Sequence, residues 1–249
     1  MDGAPDASVR ELVEQYNFTP CEIAPTAPYM MLSGNQLSFH QDAADAKGFS
    51  IDFQSSAFQK RLASISRQSD LAKALGLERN LRPFILDASA GLGRDAAALA
   101  QLDCRVRMAE RHPIIAALLD NALKRLPEGH PLQSRLSLYY GTASDYLRQS
   151  DDSTLPDIIY FDPMFPEKTK SALVKKEMQL FQSLVGNDDD AGDQFLRLYE
   201  KALYRLVVKR PRLAPPVCEA PPPHHSITGK TVRYDVYIRA RMPDELGRK

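Results

Sequence analysis

Residues 83–95 read P-F-I-L-D-A-S-A-G-L-G-R-D, and the fold follows from how this stretch is read. Phe84, Ile85 and Leu86 form an apolar run suited to a buried parallel strand and too short for a helix. Asp87 ends the strand. Ala88, Ser89, Ala90, Gly91 and Gly93 are small or flexible, so the backbone can turn sharply and come close to a ligand. From Asp95 onward, A-A-A-L-A-Q-L is strong helix-forming sequence. Strand, glycine-rich turn and helix make up the first half of a nucleotide-binding βαβ crossover.

Two ligands suit such a turn. Gly91, Gly93 and Ala96 match G-x-G-x-x-A, which seats a pyrophosphate on a helix N-terminus in nicotinamide-dependent oxidoreductases. The other candidate is S-adenosylmethionine, which has no phosphate and carries a sulfonium, an ammonium and a carboxylate. Asp87 at the strand tip favours the methyl donor, because its charge would oppose a pyrophosphate. Downstream, Cys104 to Met108 reads as a second strand ending at Glu110, where such folds hold ribose hydroxyls on a carboxylate. Pro113 to Leu126 reads as a helix, Arg135 to Tyr140 as a third strand, and Gly141-Thr142-Ala143 as a turn lining the adenine edge.

A fourth strand, Asp157 to Phe161, runs into Asp162-Pro163-Met164-Phe165-Pro166 at the sheet edge where chemistry sits. An exocyclic amine on a nucleobase is a poor nucleophile, because its lone pair is delocalised into the ring. The Asp162 carboxylate and the Pro163 carbonyl suit acceptance of its two N–H bonds, and Phe165 suits stacking on the base. Next come Lys168, Lys170, Lys175 and Lys176, then a helix over 195–204 and a fifth strand over 205–208. That strand delivers Lys209 and Arg210 to the same edge. A hairpin of 225–228 and 231–239 closes the chain.

Upstream, 37–40 and 49–53 alternate like paired antiparallel strands, and 58–77 reads as one helix carrying Arg61 and Arg67. Residues 1–75 therefore form a small α+β extension before a domain spanning 76–249. The chain of 249 residues is 43% apolar, ample for a core, and its 32 basic and 32 acidic residues leave nucleic-acid binding to local clusters. Three scattered cysteines without a C-x-x-C pair fit a reduced, cytoplasmic protein rather than a zinc or disulfide scaffold. The N-terminus lacks a secretory pattern, and no apolar run approaches the ~20 residues needed to span a bilayer. Neither a membrane nor a metal is expected.

D-A-S-A-G-L-G-R-D, R-V-R-M-A-E-R-H-P, D-P-M-F-P-E-K-T-K-S-A-L-V-K-K-E-M, F-Q-S-L-V-G and V-V-K-R-P together resemble the bacterial RsmJ family over roughly residues 50–240. The resemblance implies a class I methyltransferase fold, Rossmann-like with a seven-stranded sheet. It also implies S-adenosylmethionine-dependent methylation of a guanine N2 amine in 16S ribosomal RNA, with free rRNA or the small ribosomal subunit as partner. The implied donor contacts are Arg94, Asp95, Glu110, Arg111, Thr142, Ala143 and Asp162, with Asp87, Gly91 and Gly93 shaping the pocket. Asp162, Pro163 and Phe165 become the catalytic set. Arg61, Arg67, Lys168, Lys170, Lys175, Lys176, Lys209 and Arg210 become candidate RNA contacts. Thr142-Ala143 departs from the serine pair usual in the family, and the glycine-rich segment usual upstream is replaced by Gln54-Ser55-Ser56 and Ser64 to Ser69. Because D-P-x-F does not identify its amine, DNA adenine, a protein amide or a non-catalytic rRNA-binding role stays open on the residues alone.

Overall fold

The computed structural model describes residues 7–23, 25, 28–42, 44–77, 81–164 and 190–246. The chain opens with helix α1 (Ala7–Tyr16), strands β1 (Tyr29–Ser33) and β2 (Gln36–His40), and helices α2 (Ser56–Ala63) and α3 (Asp70–Leu75). β2 pairs antiparallel with β1, not with 49–53, which contributes only a Phe39–Phe49 bridge. The partner escaped the sequence reading because Y-M-M-L is apolar throughout. Met31 stays 40% exposed, which hides the alternation. The hairpin is anchored through Asn121, whose Oδ1 accepts from the Leu37 amide (3.0 Å) and whose Nδ2 donates to the Asn35 carbonyl (2.9 Å).

The single helix expected over 58–77 is two. Ser55 Oγ accepts from the Phe58 amide and Ser69 Oγ from the Ala72 amide, so each serine caps a new helix start. Arg67, between them, faces inward. Its Nη1 donates to the carbonyls of Leu77 (2.8 Å) and Leu81 (3.1 Å), and its Nη2 to that of Leu102 (2.7 Å). The guanidinium thus ties the lead-in to the sheet to the end of the helix that follows the glycine turn. Arg67→Ala leaves three carbonyls without this donor and is expected to cost about 2 kcal/mol. Thermal denaturation should show a drop of roughly 4–8 °C for a chain of this size. A melting point within a degree of wild type would show that water replaces the guanidinium without loss.

The main unit then runs β3 (Phe84–Asp87), α4 (Arg94–Gln101), β4 (Arg105–Glu110), α5 (Pro113–Lys124), α6 (Pro131–Arg135), β5 (Leu136–Tyr140), α7 (Ala143–Gln149), β6 (Ile158–Phe161), α8 (Ala191–Lys201), β7 (Arg205–Pro211), β8 (His225–Thr228) and β9 (Val232–Ile238). The sheet has seven strands in the order β5-β4-β3-β6-β7-β9-β8, parallel from β5 to β7, with β9 antiparallel to β7 and β8 antiparallel to β9. This is the α/β, seven-stranded arrangement anticipated. α6 was not anticipated; Pro131 sits in its first turn and His130 Nδ1 accepts from the Leu132 amide.

Alternate side chains build two cores. Ile85, Val106, Met108, Ile158, Tyr160 and Val207 pack with α4 and α5, whereas Leu86, Ile159, Phe161, Leu206 and Val208 pack with α7 and α8. Strands buried on both faces read as continuous apolar runs, which is why β3 and β6 were legible. The chain enters at β3, winds outward through β4 and β5, then returns to β6 on the other side of β3. The switch point lies between β3 and β6, and there the carboxyl ends of the strands open a crevice.

Candidate active site

Asp87 and Asp162 mark the two lips of that crevice. Asp87 is the last residue of β3, and Asp162 follows Phe161 at the end of β6. One residue links the lips: the Ser89 amide donates to Asp87 Oδ1 (3.2 Å), while Ser89 Oγ accepts from the Asp162 amide (2.6 Å). The sequence reading valued Ser89 only for its small size. Asp87 is 1% exposed, and burial pushes its carboxyl up to about 8, helped by the nearby charges of Asp95 and Asp162 and opposed by the Ser89 amide and Lys209. The carboxyl is therefore largely neutral near pH 7. Its charge is thus a weaker argument against a pyrophosphate than the sequence reading assumed.

The turn after Asp87 is shaped by two left-handed glycines, Gly91 (φ +51°) and Gly93 (φ +68°). The Ala90 amide donates to the Ala109 carbonyl (3.1 Å) and the Gly91 amide to Glu110 Oε2 (2.9 Å), so the turn is stitched to the end of β4. Gly93 caps α4 and faces the core. A Cβ there would meet Leu119 Cδ2 at 2.9 Å and Phe53 Cζ at 3.1 Å, so this glycine permits close packing rather than ligand approach.

Glu110 is 6% exposed. Its Oε1 accepts from the His112 amide (2.7 Å) as Oε2 accepts from Gly91. A carboxylate oxygen can accept more than one hydrogen bond, a property that suits a carboxylate at this position to a ribose diol. Arg111 pairs with Asp190 beside the start of α8 (Nη1 to Oδ2, 2.9 Å). Arg94 is the first residue of α4. Thr142 Oγ1 accepts from the Asp145 amide and lies 2.7 Å from Asp145 Oδ2, to which the hydroxyl donates. It caps α7, and Ala143 is buried in the core on that side, so this pair offers a ligand backbone rather than a hydroxyl.

Across the crevice lies a cluster that the sequence reading did not assemble. Lys209 Nζ donates to Asp162 Oδ2 (2.6 Å) and to Asp95 Oδ2 (2.9 Å), and the Tyr160 hydroxyl donates to the same Asp95 oxygen (2.7 Å). Burial alone would raise the Asp95 carboxyl, but the Lys209 charge, hydrogen bonds from Lys209 and Tyr160, and Arg61 at 3.8 Å outweigh it and hold it low. Burial disfavours the Lys209 ammonium too, yet Asp162 and Asp95 push its pKa up. A tyrosine hydroxyl in an otherwise apolar strand, I-I-Y-F, was the one sequence signal of this cluster. Pro163 is buried beside it. Phe165, Lys168, Lys170, Lys175 and Lys176 lie outside the described residues.

Of the expected RNA contacts, the structure turns three to other tasks. Arg67 caps carbonyls as described, because its long stem can bury while its fork still finds acceptors. Arg210 is 4% exposed and donates from Nε to the Pro215 carbonyl (2.8 Å), bracing the proline-rich loop. Lys209 neutralises carboxylates, not phosphates. Arg61 remains at the surface, its side chain 53% exposed. With Lys230 it lines a cleft of about 310 Å³ between the α2–α3 segment and the β8–β9 hairpin, together with Ser69, Asp70, Asp95 and Tyr234. Tyr234 lies opposite Lys209 in the β7–β9 ladder, which places the cleft next to the crevice. Among the described residues, no group of three or more His, Cys, Asp or Glu side chains is arranged to hold a metal. Nor is any helix there long and apolar enough to cross a membrane.

A family model of SAM-dependent methyltransferases matches residues 11–239. Ribosomal RNA small subunit methyltransferase J of Thioalkalivibrio sulfidiphilus is 44% identical over 222 residues, covering 87% of each chain. The protein of the same name from Proteus mirabilis is 45% identical over 202 residues, covering 79% of this chain and 80% of that one. Among solved structures, a SAM-dependent methyltransferase from Neisseria gonorrhoeae superposes with a TM-score of 0.72 at 28% identity, covering 95% of this chain and 93% of that one.

Proposed function

Because this chain belongs to the ribosomal RNA small subunit methyltransferase J family of SAM-dependent methyltransferases, we propose that it methylates the exocyclic N2 amine of a guanosine in 16S ribosomal RNA. The observation that carries this reading is the placement of Asp162 and Pro163 on the lip of the switch-point crevice, facing the glycine turn across β3 and β6.

The crevice suits S-adenosylmethionine on chemical grounds. The end of β4 brings the Glu110 carboxylate to the crevice, fixed by the Gly91 and His112 amides where a ribose diol would lie. Bound there, the donor supplies a methyl group made electrophilic by its sulfonium, which departs as a neutral thioether. The protein's part is to present the amine. Asp162 and the Pro163 carbonyl accept the two N–H bonds, which turns the nitrogen lone pair out of conjugation with the ring and towards the methyl carbon. After transfer the nitrogen loses one proton to solvent, so no strong base is needed. Phe165 stacks on the guanine in this scheme.

The neighbouring cleft supplies a path for the flanking RNA strand, with Arg61 and Lys230 at phosphates and Tyr234 on its wall. An enzyme acting on nascent or assembled small subunits would work in the cytoplasm.

The test is transfer from tritiated donor to small ribosomal subunits and to free 16S RNA from a strain lacking the enzyme, followed by digestion to nucleosides. The expected product is N2-methylguanosine. Label in adenine or protein, or none, would overturn the reading. The double variant Arg61→Ala, Lys230→Ala is expected to raise KM for RNA several-fold and to flatten the salt dependence of binding by about two counterions. An unchanged salt slope would remove the cleft from the RNA path.

A further inference from the structure

We propose that Lys209 is the positioning residue of the reaction: clamped between Asp95 and Asp162, it fixes the Asp162 carboxylate in the charged form and orientation that accepts the target amine. This inference rests on the reading of Asp162 as the amine acceptor.

The geometry is that of a built clamp. Lys209 sits on β7, one residue past Val208, which pairs with Phe161 at the end of β6; its backbone is therefore held beside the strand that delivers Asp162. On its other side it pairs with Tyr234 of β9, so the stem has little freedom. The ammonium reaches Asp162 Oδ2 at 2.6 Å and Asp95 Oδ2 at 2.9 Å. Asp95 cannot follow the lysine, because it stands in the first turn of α4 and its Oδ2 also receives the Tyr160 hydroxyl. The anchor is on the helix that opens the glycine turn, and the carboxylate it steers is on the opposite lip.

Charge explains why a cation is needed there. Asp87, Asp95 and Asp162 converge on one partly buried region. The groups facing them are Lys209 on β7, Tyr160 on β6, Tyr234 on β9, Arg61 on α2 and, one residue beyond Lys209, Arg210. Among the described residues, Lys209 is the cation bonded to both Asp95 and Asp162. Remove it, and two carboxylates face each other without their shared cation, so one takes up a proton. A protonated Asp162 turns one oxygen into an O–H donor and loses the charge that made it a strong acceptor. Activity then requires a higher pH, and the acid limb of the pH profile moves upward.

The experiment measures kcat/KM against pH on unmethylated small subunits for wild type, Lys209→Met, Lys209→Arg, Asp95→Asn and Asp162→Ala, with donor affinity measured by calorimetry. For Lys209→Met the expected result is an acid limb shifted up by about one pH unit, with the loss of activity concentrated on that limb and recovered above it. Lys209→Arg keeps the charge and should keep the wild-type limb. Asp95→Asn removes a repelling charge, so its limb should move to lower pH; this opposite sign decides the matter should Lys209→Met be too unstable to assay. A uniform loss across all pH in Lys209→Met, an unchanged profile, or an upward or unmoved limb in Asp95→Asn would overturn the proposal. Asp162→Ala separates the two readings: near-normal turnover there sinks the role of Asp162 itself, whereas a dead Asp162→Ala with an unmoved Lys209→Met limb sinks only the clamp.

Discussion

Asp162→Ala is expected to lower turnover by two to three orders of magnitude while weakening donor binding only a few-fold. The size follows from what is removed. Losing one preorganised group aimed at charge that develops in the transition state costs about 10²–10³ in rate in well-studied sites, and here the group also steers the nucleophile's lone pair. The small effect on the donor follows from the structure around it. The Asp162 amide is held by Ser89 Oγ, a contact that the alanine keeps, so the loop remains in place. Glu110 and the glycine turn are on other elements and are bound to each other. Single-turnover transfer to small subunits, with calorimetric titration of the donor, reads both quantities. Near-normal turnover would defeat the acceptor role, and an equal loss in both would make Asp162 a donor-binding group instead.

What the residues revealed in advance divides along a physical line. Strands buried on both faces announce themselves as apolar runs, and turns announce themselves by glycine, so β3, β4, β6 and the nucleotide-type turn could be placed from 83–95 outward. Asp162 and Pro163 could be placed because Asp and Pro at the end of such a strand must stand at the carboxyl edge. Charge partnerships are different. Lys209 meets Asp162 across 47 residues and Asp95 across 114, separations at which nothing in local pattern says who pairs with whom. A basic residue near a nucleic-acid motif looks like a phosphate contact, and only burial reveals that Arg67 and Arg210 spend their guanidinium groups on backbone carbonyls. The broken helix over 58–77 was different again. Ser55 and Ser69 are good N-caps and were present to be read, but the spacing of Phe58, Leu62 and Ile65 with Leu71 and Leu75 suggested one continuous apolar stripe.

Glu110→Ala is expected to weaken donor binding by at least a hundredfold, through the ribose contacts and the loop together. The carboxylate has two tasks at once in this reading: it receives the Gly91 and His112 amides and accepts from the ribose hydroxyls. Hydrogen bonds to a charged acceptor are worth about 1.5–3 kcal/mol each, so losing the ribose contacts alone accounts for roughly a hundredfold. The alanine also leaves the Gly91 amide without its acceptor, and a turn with φ of +51° and +68° at its glycines then has less to hold it against β4. Glu110→Gln separates the two contributions. The amide keeps the length and one acceptor oxygen, but its NH2 would face either a backbone N–H or a ribose hydroxyl. The loop should survive, with a melting point close to wild type, while donor affinity drops about tenfold. Calorimetry and thermal denaturation on both variants check this. Wild-type affinity in Glu110→Ala would mean that the ribose is held elsewhere, and the carboxylate would then be a strut of the turn alone.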